Sequence, residues 1–122
     1  MTDFSKLSLD SADALFGALK DEVVGTSSKW FQENEAAISG YLRTLSDAAM
    51  RTAEALAEGR IGAEQAGMIL GDQKATLEQT FDFAQFMTLA LAQKLVDGVF
   101  SIVGWAVFKH TGINLFPELV QP

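Results

Sequence analysis

Two eleven-residue stretches without a single charge, Phe83–Gln93 (FAQFMTLALAQ) and Gly98–Phe108 (GVFSIVGWAVF), constrain this chain more than any other feature. Only Lys94 and Asp97 stand between the two runs as charges, at a spacing that lets them pair on one helix face. A helix apolar on nearly every side has to be covered by protein or by lipid. The cover visible in the rest of the chain is a stripe from Trp30 to Leu56 and a short Leu15–Val23 face. That is too little for so greasy a segment, so the sequence predicts completion by oligomerisation or by a partner.

Charge is distributed to match. Residues 1–40 hold seven acidic side chains against three basic, and residues 41–80 hold six against four. Residues 81–122 hold only Asp82, Asp97 and Glu118 against Lys94 and Lys109, together with six of the nine phenylalanines. No linker composition separates the parts, so the chain reads as one helical domain over 1–122. The formal charge of −7 and the scatter of the nine basic residues argue against nucleic acid, whose phosphates need clustered Lys and Arg. Absence of cysteine removes disulfides, thiolate metal sites and cysteine nucleophiles. The start, MTDFSKLSLD, has neither a basic nor an apolar leader segment, so no signal peptide is expected.

Local patterning is helical throughout, and the expected class is all-α. Asp10 or Ser11 can cap a short first helix with Leu15, Phe16, Leu19 and Val23 on one face. Gly25-Thr26-Ser27-Ser28 interrupts it. From Trp30 the apolar positions Phe31, Ile38, Tyr41, Leu42, Leu45, Ala49 and Leu56 follow a spacing of three and four, with Arg43–Asp47 and Asp47–Arg51 able to pair outside. Residues 1–58 thus read as polar amphipathic helices. Gly59 suits the position after a helix end, and Gly59–Gly62 reads as a tight turn.

That turn predicts an antiparallel helical hairpin. Ala49, Ala53 and Ala57 precede it and Ala63, Gly67 and Gly71 follow it, each set at four-residue spacing. Folding at residue 60 places small against small and predicts close helix–helix packing. The alternative use of Gly67 and Gly71 is contact with another chain, as small-xxx-small pairs make between helices. After the turn, Ala66, Leu70, Leu77, Phe81 and Ala84 share one register.

Residues 63–110 read as an increasingly apolar helix. Unbroken from Ala63 to Lys109 it would run about 70 Å, against a radius of gyration near ~14 Å for a compact chain of this length. Either the helix breaks, at Gly98 or Gly104, or the molecule is an elongated rod; the expectation is a break near Asp97-Gly98, with a short last helix to about His110 and Gly112 as its stop. Residues 111–122 read as an extended apolar tail, with Leu115, Phe116 and Leu119 docking on the domain or on a neighbour, and Pro117 holding Phe116 extended.

Functional expectations follow from the same residues. Phe83, Phe86, Leu91, Lys94, Asp97, Phe100, Val103, Trp105 and Phe108 form the expected interface or membrane surface. Joined, the two uncharged runs are long enough to span a bilayer, with Lys94 and Asp97 costing about 2.5–3.5 kcal/mol each unless paired. A single histidine, His110, beside Lys109 at a helix end, reads as a C-terminal cap rather than a catalytic base. No nucleophile elbow, Glu-x-x-His pair or phosphate-binding glycine loop is present, so no enzyme activity, cofactor or metal is expected. The aromatic cluster could line an apolar-ligand cavity, a lesser reading because Lys94 is its only polar anchor.

In composition and helix pattern the whole chain resembles small helical accessory subunits of large assemblies, such as phage tail or injection-machine components, and granule-coating phasins, without a diagnostic motif. The expectation is a non-enzymatic structural or interaction subunit that forms a homo-oligomer or docks on a protein partner. It would lie in the cytoplasm or within a larger assembly, with inner-membrane association through a pore- or holin-like use of residues 83–108 as the alternative.

Overall fold

The computed structural model describes residues 9–82 and 87–121; expectations resting on Phe83, Ala84 and Phe86 lie outside that set. The described chain is all-helical, with helices α1 (Ala12–Thr26), α2 (Ser28–Glu33), α3 (Glu35–Ala57), α4 (Ala63–Asp82) and α5 (Leu89–Thr111). Ser11 caps α1 by accepting from the Ala14 N–H at 3.1 Å. Leu15, Leu19 and Val23 bury completely, as their four-residue spacing requires.

The single helix expected from Trp30 to Leu56 is two. Asn34 sits between α2 and α3 at φ −124°, and its side-chain amide donates to the Trp30 carbonyl at 2.9 Å. An asparagine that bonds back four residues competes with the helical ladder at that point and bends it. Beyond the bend, Ile38, Leu42, Leu45, Ala49, Met50, Ala53 and Leu56 are all buried.

The end of α3 is a Schellman motif. Gly59 takes φ +73°, its N–H bonds the Leu56 carbonyl at 3.2 Å, and the Arg60 N–H bonds the Ala55 carbonyl at 2.9 Å. α4 follows, and its buried residues are Ala66, Leu70, Leu77 and Phe81, the register expected from sequence. The α4 backbone is tied to α3 where the Tyr41 hydroxyl donates to the Gln73 carbonyl at 2.7 Å. Burial pushes the Tyr41 phenol well above its usual range. A phenol ionising later in the folded chain than in the unfolded one leaves stability untouched below pH ~10, and stability falls as pH rises past that unfolded value. Alkaline titration of the unfolding free energy should show this decline, and Tyr41→Phe should flatten it while costing about 1 kcal/mol at neutral pH.

The break in the second half lies elsewhere than expected. Gly98 and Gly104 are both inside α5, and among the described residues the non-helical stretch ahead of it is Met87–Thr88. Thr88 starts α5 by accepting from the Leu91 N–H at 3.1 Å, a cap sufficient to restart a helix in an apolar run. The expected end is in place: Lys109 and His110 occupy the last turn, and Gly112 follows at φ +75° with its N–H on the Phe108 carbonyl at 2.7 Å.

α5 is the centre of the molecule. It packs against α1, α3 and α4, and buries Leu95, Val96, Val99, Phe100, Ile102, Val103, Ala106 and Val107. The C-terminal tail covers a further side. Phe116 meets Phe100 edge-on with ring centroids 5.7 Å apart, Val120 is buried, and the Ser101 hydroxyl reaches the Leu119 carbonyl at 3.4 Å. The tail is not extended beyond Pro117. The Leu119 and Val120 N–H groups both bond the Phe116 carbonyl at 2.9 Å, and the Asn114 side chain ties the Val120 carbonyl at 2.8 Å. A local turn satisfies these backbone groups, where a straight tail would leave them without partners against an apolar helix.

Candidate functional surface

The surface expected on α5 is partly interior. Phe100 and Val103 are fully buried, and Leu91, Trp105 and Phe108 are half-buried, the last two stacked at 5.7 Å. α4 and the tail pack on α5 in addition to the α1 and α3 faces. Lys94 and Asp97 do not pair. The Asp97 carboxylate accepts from the Gln93 amide at 2.7 Å and Lys94 is exposed, because Gln93 lies one full turn back on the same face. Of the tail residues, Phe116 is buried, and Leu115 and Leu119 pack partly covered against the core of their own chain.

The small-residue packing is also placed differently. Ala49 and Ala53 are buried, whereas Ala57 and Ala63 are exposed. Gly67 and Gly71 make no close approach to α3: a Cβ built at either meets nothing within 4 Å. Their direction is set by Ala66 and Leu70, which take the core-facing positions one residue earlier. The glycines that admit close neighbours are in α5. At Gly98 a Cβ would fall on the Glu22 side chain, and at Gly104 it would lie 2.8 Å from Val120 Cγ2 and 3.1 Å from Phe116 Cδ2.

Glycine inside a helix costs roughly 1 kcal/mol against alanine, and at Gly71 no internal contact offsets that cost. Gly71→Ala should therefore stabilise the chain by about 0.5–1 kcal/mol in urea unfolding. A loss of stability instead would mean that the site is occupied.

Ion pairs expected along α3 are replaced by a contact between helices. Arg43 reaches Asp13 of α1 at 2.6 Å and lies 4.1 Å over the Phe16 ring. Both charged groups are well exposed, so this contact orients α1 on α3 more than it stabilises it.

What faces outward is on α4 and at the start of α5. Met68 is 65% exposed, Ile69 36% and Leu89 81%. The signal was available: with Ala66, Leu70, Leu77 and Phe81 inward, positions 68 and 69 must point away at 100° per residue. Around Gly67 and Gly71 the same helix carries Glu64, Lys74 and Glu78, with Lys74 Nζ 4.0 Å from Glu78 Oε1. Arg60, in the turn ahead, contacts Glu58 at 2.8 Å.

Elsewhere the hollows are open and mixed in polarity, such as the one beside Trp30 lined by Ser27, Lys29, Glu33 and Leu91. The Trp30 ring packs edge-on against Phe81 at 5.2 Å, and its buried indole N–H has no hydrogen-bond partner. Among the described residues no group of three acidic, histidine or cysteine side chains converges to hold a metal. No family model, no curated protein and no solved structure matches this chain.

Proposed function

We propose that the chain is a non-enzymatic helical interaction subunit that self-associates, with α3, the Gly59 turn and α4 forming an antiparallel hairpin that presents its outer side. The carrying observation is the outer face of α4, where Met68 stands 65% exposed beside glycines with open space above them. The contact surface in this reading is α4 rather than α5, over half of whose apolar stretch is buried inside the fold. The acidic surface, formal charge −7, keeps such an assembly dispersed. The role suggested is that of a small component in a larger assembly.

A second reading has one observation in its favour. α5 spans 23 residues and is long and apolar enough to cross a bilayer, although over half of that stretch is buried inside the fold. Insertion would require α5 to leave α1, α3, α4 and the tail.

The two readings separate in one pair of experiments. Sedimentation equilibrium of the purified chain should show a mass that rises with protein concentration, and in liposome flotation the protein should stay at the bottom of the gradient. A constant monomer mass would remove the self-association reading. Protein rising with the lipid would put the membrane reading in its place.

A further inference from the structure

Trp30 carries a buried donor that bonds to nothing. The residue is 6% exposed, its ring rests edge-on against Phe81 at 5.2 Å, and its indole N–H lacks an acceptor. A buried N–H without a partner is uncommon and costly, because the water it bonded in the unfolded chain is not replaced. The same residue is one wall of a hollow of about 250 Å³ between α2 and the first turn of α5. Its other walls among the described residues are Ser27, Lys29, Glu33 and Leu91.

Those walls define what fits. Lys29 and Glu33 stand one turn apart on α2, both exposed, and neither forms an ion pair among the described residues. A plain carboxylate would suit Trp30 and Lys29 but would meet the like charge of Glu33. A plain amine would suit Glu33 but would meet Lys29 and leave the indole N–H unsatisfied. A molecule carrying both charges satisfies every group. Leu91, half-buried on the α5 side, offers an apolar surface to the remainder.

We propose that this hollow binds a small zwitterion, a free α-amino acid with an apolar side chain. Its carboxylate accepts from the Trp30 indole, the Ser27 hydroxyl and Lys29. Its ammonium faces Glu33, and its side chain lies on Leu91. The hollow is smaller than the ~300–1,000 Å³ usual for drug-sized ligands, which suits one amino acid rather than a peptide. This site stands apart from the outer face of α4 and does not depend on self-association.

Proton–nitrogen correlation spectra of the isotope-labelled full chain, titrated with L-leucine to tens of millimolar at constant pH and salt, test it. The Trp30 indole N–H signal should move downfield and saturate, as a donor gaining an anionic acceptor does. The Trp105 indole signal should stay in place, because Trp105 lies about 21 Å beyond Leu91 along α5. Isocaproate (leucine without its ammonium) and isoamylamine (leucine without its carboxylate) should bind at least about tenfold more weakly. Lys29→Ala and Glu33→Ala alter exposed side chains, so each should keep the thermal midpoint while weakening leucine about threefold or more. A Trp30 signal indifferent to leucine would mean that water alone meets the indole, and overturns the proposal. Isocaproate binding as tightly as leucine overturns the zwitterion as the ligand class. Both tryptophan signals drifting together without saturation overturns the site.

Discussion

Phe100→Ala should lower the free energy of unfolding by about 3–5 kcal/mol, the usual cost of emptying a large aromatic from a packed interior. Phe100 is fully buried at the middle of α5, and its ring meets Phe116 of the tail at 5.7 Å. The substitution therefore opens a cavity where α5 and the tail join, and the two sides cannot both collapse into it. Against a total of roughly 5–15 kcal/mol for a domain of this size, the variant is left marginal. Urea unfolding followed by tryptophan fluorescence reads the change. A loss below about 1 kcal/mol would mean that the ring is solvated and that the tail does not dock there.

Gly104→Leu should be nearly as damaging for the opposite reason. Even a Cβ at this position would lie 2.8 Å from Val120 and 3.1 Å from Phe116, so the larger side chain has to expel the tail. Undocking re-exposes the apolar surfaces of Phe116 and Val120, each worth about 1.5–3 kcal/mol when buried. Improved helix propensity recovers at most about 1 kcal/mol. The signature is a stability loss together with rapid proteolysis confined to residues after Gly112. Full stability with the tail still protected would contradict the packing of the tail on α5. The contrast with Gly71→Ala matters: the same class of substitution gains stability on α4 and loses it on α5.

These opposed signs show what the sequence carried and what it did not. Helical periodicity located the core faces of α1, α3 and α4 residue by residue, because alternation of polar and apolar positions at 3.6-residue spacing is a local signal. Gly59 and Gly112 were legible as helix ends for the same reason: a left-handed backbone position favours glycine wherever the rest of the chain goes. The start of α5 at Leu89 was not legible as such, because α5 has almost no polar side from which to read a boundary, and the single Thr88 cap is easily outweighed by glycines further on. Whether a small residue faces a neighbour or open space is a tertiary question. Four-residue spacing is shared by Gly67–Gly71 and by any stripe in contact, and only the direction set by Ala66 and Leu70 distinguishes them. The same limit explains the reading of Phe100 and Val103 as surface. A helix apolar all round announces that it is covered but not by what.

The central claim is that α5 is a core helix, packed against α1, α3, α4 and the tail of its own chain. Amide hydrogen exchange on dilute, detergent-free protein measures this directly. The backbone N–H groups of Leu95–Val107 should be the slowest in the molecule, exchanging only through global unfolding and matching its free energy. Fast exchange along that stretch in dilute solution, slowed only when vesicles are added or protein concentration is raised, would contradict the claim and show that α5 finds its cover outside its own chain.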